Sequence, residues 1–317
     1  MSEDSAIVWF RDDLRLADNP ALTAGSKSAL LCVYIFDEES DGLRKLGGAA
    51  RWFLHGALAA LKEDLIERGG DLVFLKGEAK ALIPDCAAAL GAQSVFWNRR
   101  YDEAERRIDE AIKTTLKEKG VNVASFGANL LCEPWTLTGK TGKPFQIYTP
   151  YWRRLLAEGE PTSPLAKPRR LTFCAIPESL KRKAIPLDAL ALEPTKPDWA
   201  ATMRETWKRG EAAAHQRLRT FLSKGSTHYA RDRDRPDRAA TSRLSPDLRF
   251  GTISPRQAWH AVSGNEDIAK EDRAKFLSEL GWREFAYHLL YHHPHVATRN
   301  LRGGFESVPW RKDARAL

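Results

Sequence analysis

Short apolar runs alternate with amphipathic stretches along the first part of the chain. Ala6–Phe10, Leu30–Phe36, Leu72–Leu75, Ser94–Trp97 and Val121–Ser125 read as strands, apolar nearly throughout. Residues 49–68 repeat apolar positions at i, i+3, i+4 and read as a helix between two of them. Strand–helix alternation of this kind predicts an α/β unit, a doubly wound, Rossmann-like parallel sheet with helices on both faces. No glycine-rich GxGxxG turn follows the first strand, so nothing supports a dinucleotide at that turn.

The pattern changes near Cys132. From there to Pro197 prolines recur among lysines and threonines, too often for one regular element, and the stretch reads as a connector. From Asp198 onward strand signals fade. Ser254–Pro255 is a helix start, a capping hydroxyl followed by proline in the first turn, and helical patterning runs from Asp272 to about His292. The expected organisation is therefore an α/β domain over 1–131, a connector over 132–197 and a helical region over 198–317.

Composition narrows the partners. The 317 residues carry 50 Lys+Arg against 42 Asp+Glu, a net charge of +8. The pI is near 9.3, which favours a polyanion such as nucleic acid but also occurs in proteins that bind none. Ten tryptophans can serve a core or stack on planar rings. The four cysteines, Cys32, Cys86, Cys132 and Cys174, are scattered without metal-ligand spacing and read as reduced thiols, so no metal site is expected. The N-terminus is acidic where a secretory leader is basic, and no stretch approaches the twenty or so apolar residues of a membrane span. The expected location is the cytoplasm, away from any membrane.

Candidate chemistry concentrates in the helical region. If Lys275–Leu290 is a helix, Glu279, Trp282, Arg283 and Ala286 share a face, which can accept a hydrogen bond, stack on a base and hold an anion. The alternative is a plain Glu279–Arg283 surface pair beside a half-buried Trp282. Gly281, costing about 1 kcal/mol against alanine inside a helix, marks a close approach. Upstream, Arg231, Arg233, Arg235 and Arg238 crowd together ahead of Thr241-Ser242-Arg243-Leu244-Ser245. Hydroxyls and N–H groups at such a turn suit phosphate, and Tyr229 suits a ring system. Equally, the arginines can be balanced by Asp232, Asp234, Asp237 and Asp247.

Five separated stretches, taken together, resemble the photolyase/cryptochrome family: "IVWFRDDLRLADNPAL" from Ile7, "VFWNRRYD" from Val95, "YTPYW" from Tyr148, "TSRLSPDLRFGTISPRQ" from Thr241 and "ELGWREFAYHLL" from Glu279. They occur in family order over essentially the whole chain. "VFWNRRYD" and "KPDWAATMRETW" look most like bacterial cyclobutane-dimer photolyases.

The resemblance implies a helical domain that binds a U-shaped FAD. It assigns the flavin's diphosphate and ribityl to Tyr229, Thr241, Ser242, Arg243, Leu244 and Ser245, and the neighbourhood of its adenine to Phe276. Glu279 and Arg283 would contact cofactor, Glu279 and Trp282 the dimer, and Arg233 the rim of the DNA. Trp310 matches the outermost tryptophan of an electron relay. The implied reaction is light-driven repair of pyrimidine dimers in DNA, an electron passing from reduced FAD to a dimer extruded from the stack and then returning. A monomer is implied. A cryptochrome-type photoreceptor, an inactive family member or a nucleotide-binding protein with a helical appendage are the other readings.

The resemblance also implies a further helical stretch after Leu317, containing the asparagine that faces the flavin ring and the inner relay tryptophans. Many members hold an antenna folate through a Tyr-x-x-Asn-Glu turn. Here "YDEAE" has Ala104 at the asparagine and Glu105 at the glutamate, which leaves a deazaflavin or a differently placed folate as the alternatives.

Overall fold

The computed structural model describes residues 4–139, 141–309 and 311. Five parallel strands form the main sheet: β1 (Ser5–Phe10), β2 (Ala29–Phe36), β3 (Leu72–Lys76), β4 (Ser94–Asn98) and β5 (Asn122–Phe126), in the order β3-β2-β1-β4-β5. A two-residue strand, β6 (Thr172–Phe173), pairs with Ala29 and Leu30 of β2, just below the stretch that pairs with β3. Strands buried on both faces need apolar residues at every position. In β1, Ala6, Val8 and Phe10 enter one core while Ile7 and Trp9 enter the other.

Between the strands run α1 (Pro20–Gly25), α2 (Gly48–Ile66), α3 (Ala79–Leu90) and α4 (Glu103–Glu118). The connector is not structureless. It holds α5 (Tyr148–Ala157), β6 and α6 (Glu178–Lys183). Beyond it only helical elements occur among the described residues: α7 (Ala201–Thr206), α8 (Glu211–Thr220), α9 (Tyr229–Asp232), α10 (Ser245–Phe250), α11 (Pro255–Ser263) and α12 (Lys270–His292). Ser254 caps α11 as its sequence suggests, accepting from Gln257 N at 2.9 Å while the Gln257 side chain accepts from Ser254 N at 2.8 Å.

The first and fourth of the family-like stretches meet each other, and this contact sets the helices against the sheet. Phe250 stacks on Phe53 of α2 at 5.6 Å and joins the α/β core. The fully buried Arg15 donates to Gly251 O at 2.8 Å, to Asp18 O and to Ala128 O, both at 2.9 Å. The Glu211 carboxylate accepts from Leu16 N at 2.7 Å and Ala17 N at 3.1 Å, and Arg256 pairs with the buried Asp18 at 2.8 Å. Each buried charge is thus matched by a charge or a backbone dipole from the other half, which such groups require.

The connector is pinned from α12. Glu284, buried inside that helix, accepts from Leu131 N at 2.7 Å and pairs with Arg283 at 3.0 Å. Burial outweighs these partners and pushes the Glu284 carboxyl up to about 7. The native state therefore binds this proton more tightly than the unfolded chain does, and stability falls as pH rises from about 4.5 to 7. In urea unfolding at pH 5 and pH 8, the wild type should lose about 2–3 kcal/mol more than Glu284→Gln across that interval. Parallel pH profiles for the two proteins would refute the assignment.

Candidate functional site

The site is organised on one side of α12 and on the segment from Phe221 to Ser245. After α8 the chain makes one π-helical turn, Phe221–Gly225, before α9 begins. Wide turns of this kind re-aim side chains and recur at functional sites. Here Phe221 stacks on Phe276 of α12 at 5.1 Å, and Tyr229 meets both edge-on, at 5.4 and 5.7 Å. Asp272, in the first turn of α12, accepts from His228 N at 3.0 Å and Ala230 N at 2.7 Å and so locks α9 beside the helix. Burial pushes the Tyr229 phenol up to about 12, so it stays a neutral O–H donor.

Arg233 lies over the Tyr229 ring at 5.7 Å and forms an ion pair with Glu279. Lys275 reaches the same carboxylate at 3.2 Å. Both cations engage Glu279 Oε1. One turn further on, Trp282 is 48% exposed, with one face stacked on Tyr148 at 3.6 Å. Tyr229, Arg233, Phe276, Glu279 and Trp282 thus stand along one side of α12.

The arginines of the loop are mostly engaged. Asp232 holds Arg231 at 2.8 Å and Arg238 at 2.7 Å, and Asp237 holds Arg235 at 2.7 Å. The balanced-charge reading describes these three, and Asp234 also reaches Arg233, at 3.4 Å. Arg243 differs: its backbone is left-handed (φ 54°), it is exposed, and among the described residues it has no ion-pair partner. The hydroxyls of Thr241, Ser242 and Ser245 likewise find no hydrogen-bond partner among the described residues. Thr241, Ser242 and Arg243 line a cavity of about 600 Å³ with Trp207, Phe221 and Gly225. An unpaired guanidinium and free hydroxyls on a cavity wall match the donors that a diphosphate and a polyol require. Leu244 is buried in the helical core and lines no part of that cavity, so any cofactor contact at this position is through its backbone.

Arg283 does not join this group. The shared-face argument sets it with Glu279, but its guanidinium donates to Asn129 O at 2.7 Å and Leu248 O at 3.3 Å and covers the Tyr287 ring at 4.9 Å. Carbonyls at the junction of the two halves draw it towards the sheet, further along α12 than Glu279. There it lines a second cavity, of about 660 Å³, with Arg11, Tyr34, Arg100, Glu105 and Arg249. This cavity opens at the carboxyl ends of β1, β2 and β4, where the strand order reverses between β1 and β4 and open α/β sheets bind ligands. Glu105 is the N3 residue of the α4 capping box and pairs with Arg100 at 3.4 Å. Trp310 lies outside the described residues.

Residues 6–169 match the profile of the DNA photolyase family, and residues 276–317 match that of the FAD binding domain of DNA photolyase. The chain belongs to the photolyase/cryptochrome family. A deoxyribodipyrimidine photo-lyase of Agrobacterium fabrum is 42% identical over 98% of this chain and 64% of its own length. Cryptochrome-1 of Arabidopsis thaliana is 32% identical over 97% of this chain and 46% of its own length. The crystal structure of a bacterial class III photolyase from Agrobacterium tumefaciens superposes with a TM-score of 0.93 at 40% identity, covering 99% of this chain and 64% of that one. The chain therefore spans less than two thirds of the length of these photolyase-family relatives. No helix among the described residues is long and apolar enough to cross a membrane.

Several residues of the site carry no signal in the family-like stretches. Asp272 reads as a surface acid in a first helical turn. Tyr148 lies in "YTPYW", but that stretch assigns it no role, although Tyr148, Tyr151, Trp152 and Leu155 follow i, i+3, i+4, i+7 spacing and mark α5.

Proposed function

We propose that the protein repairs cyclobutane pyrimidine dimers in DNA by light-driven electron transfer from reduced FAD. The observation that carries this reading is the placement of Glu279 and Trp282 one turn apart. One offers a carboxylate held by Arg233 and Lys275, the other a half-exposed indole. FAD, when bound, supplies light absorption and the electron. Thr241, Ser242, Arg243 and Ser245 hold its diphosphate and ribityl, Tyr229 donates from its neutral phenol, and Phe276 backs that ring. Trp282 stacks on the extruded dimer, and the Glu279 carboxylate, held beside Arg233 and Lys275, accepts from a base N–H.

A light-gathering chromophore, folate or deazaflavin, is assigned to the cavity at the sheet's carboxyl edge. We assign an α/β antenna domain to 1–131, a connector to 132–197 and the first part of the flavin domain to 198–317. The protein works as a monomer in the cytoplasm, in keeping with cysteines that form no disulfide among the described residues.

The full-length protein should purify with FAD and restore dimer-containing oligonucleotides under blue light. Flavin bound with no repair would favour the cryptochrome reading. A colourless protein that takes up no added flavin would refute both.

Arg233 tests the pair directly. Because Arg233 engages Glu279, Arg233→Ala should lower the preference for damaged over undamaged DNA about fivefold, with little further loss in Glu279→Gln protein. If both DNAs are weakened alike and the salt slope falls by about one, Arg233 is a phosphate contact, as the resemblance alone implies.

A further inference from the structure

We propose that Tyr148 is a positioning residue for Trp282, fixing the indole so that one face is presented to the pyrimidine dimer before any DNA arrives. The proposal rests on the repair reading above. A tryptophan half exposed on a helix ordinarily samples several rotamers, and ordering it on binding costs affinity. Here the ordering is built into the fold.

The Tyr148 ring lies flat against Trp282, with centroids 3.6 Å apart and planes inclined by 11°. Its hydroxyl donates to Ser278 O at 2.7 Å and lies 2.9 Å from Ser278 Oγ, which ties the ring to α12 one turn before the indole. Trp152 continues the parallel stack behind Tyr148, at 6.2 Å and 12°. Phe285 closes one side, edge-on to Tyr148 at 5.8 Å and to Trp282 at 6.1 Å.

Gly281 makes the arrangement sterically feasible. A Cβ there would lie 2.5 Å from the Trp152 ring and 2.9 Å from the Tyr148 hydroxyl. The close approach that a helical glycine marks in the sequence is thus the approach of this aromatic stack to α12. With one face covered by tyrosine and a side met by phenylalanine, the exposure of Trp282 is left to its other face. The extruded dimer completes the stack as its outermost layer. Tyr148 acts only through Trp282 and need touch neither flavin nor DNA.

In the full-length, flavin-loaded protein, Tyr148→Ala should reduce the preference for dimer-containing over undamaged oligonucleotide about three- to tenfold, with flavin content held. Tyr148→Phe keeps the ring and should restore most of it. In Trp282→Ala protein, adding Tyr148→Ala should change discrimination no further. An independent arm labels the tryptophans with 5-fluorotryptophan and assigns the Trp282 ¹⁹F signal by its loss in Trp282→Phe. That signal should shift and broaden in Tyr148→Ala without DNA present. A Trp282 signal unmoved in Tyr148→Ala, or an equal loss of discrimination in the Trp282→Ala background, overturns the proposal. A wild type that binds both DNAs equally overturns the repair reading instead, and the fluorine signal then decides on the platform alone.

Discussion

Gly251→Ala should destabilise the protein by about 3–5 kcal/mol, a large part of a typical folding free energy. Gly251 ends α10 in the left-handed region, φ 67°, which a side chain disfavours. A Cβ there would lie 2.1 Å from Asp12 O and 2.5 Å from Asp13 Cα, both backbone, so no side chain can rotate away. The same residue accepts from Arg15 through its carbonyl, and the neighbouring Phe250 O accepts from Leu14 N at 3.1 Å. Any shift that relieves the clash therefore loosens the junction between sheet and helices. Gly47→Ala is the control, with an ordinary φ of −73° and nothing within 4 Å of its added Cβ. Urea midpoints of the two variants measure the difference. If both match the wild type, the junction is more compliant than this geometry allows.

That junction also explains which parts of the architecture were legible. Strands buried on both faces leave unbroken apolar runs, so β1 to β4 could be found from hydropathy, while the edge strand β5 shows a shorter, mixed run. Ser254 and Gln257 declare the start of α11 through a local hydrogen-bonding pattern. β6 could not be found, because two residues inside a proline-rich stretch have no period of their own. The pairing comes from β2, whose Ala29–Leu30 edge is otherwise open. α12 misled the face argument for a related reason. Phe276, Leu280, Gly281, Glu284, Phe285 and His288 spread over roughly half of its circumference, so its inward face is broad and says little about where a side chain at its border will turn. Sequence spacing could set Glu279 beside Trp282, but the direction of Arg283 depends on the carbonyls of Asn129 and Leu248, far away along the chain. The arginine-rich stretch divided along similar lines. Asp232 and Asp237 are close enough in sequence to be seen as partners for Arg231, Arg235 and Arg238. Asp234 is likewise a local partner of Arg233, but Glu279 as its second partner emerges only when α9 packs on α12.

Trp282→Ala should lower affinity for dimer-containing DNA roughly tenfold or more, since stacking of a base on an aromatic ring is worth about 1–3 kcal/mol. Binding to undamaged DNA should hardly change, because phosphate contacts carry that affinity and Trp282 has no charge to offer. Flavin content should also survive. Trp282 contacts Tyr148 and Phe285, whereas Thr241, Ser242 and Arg243 line a cavity that it does not reach. Removing the indole uncovers Tyr148, a smaller ring set further back, so some stacking can persist and the loss should fall short of the full range. Trp282→Phe should be intermediate, since it keeps a ring while offering less area to the base. Paired titrations of damaged and undamaged oligonucleotides at one salt concentration, with the flavin spectrum recorded for each variant, separate these terms. An equal loss on both DNAs would make Trp282 a general DNA contact. No loss on either, from a wild type that does not discriminate, would mean that the exposed indole face receives no lesion, and the photoreceptor reading would then account better for a flavin site beside an ordered aromatic stack.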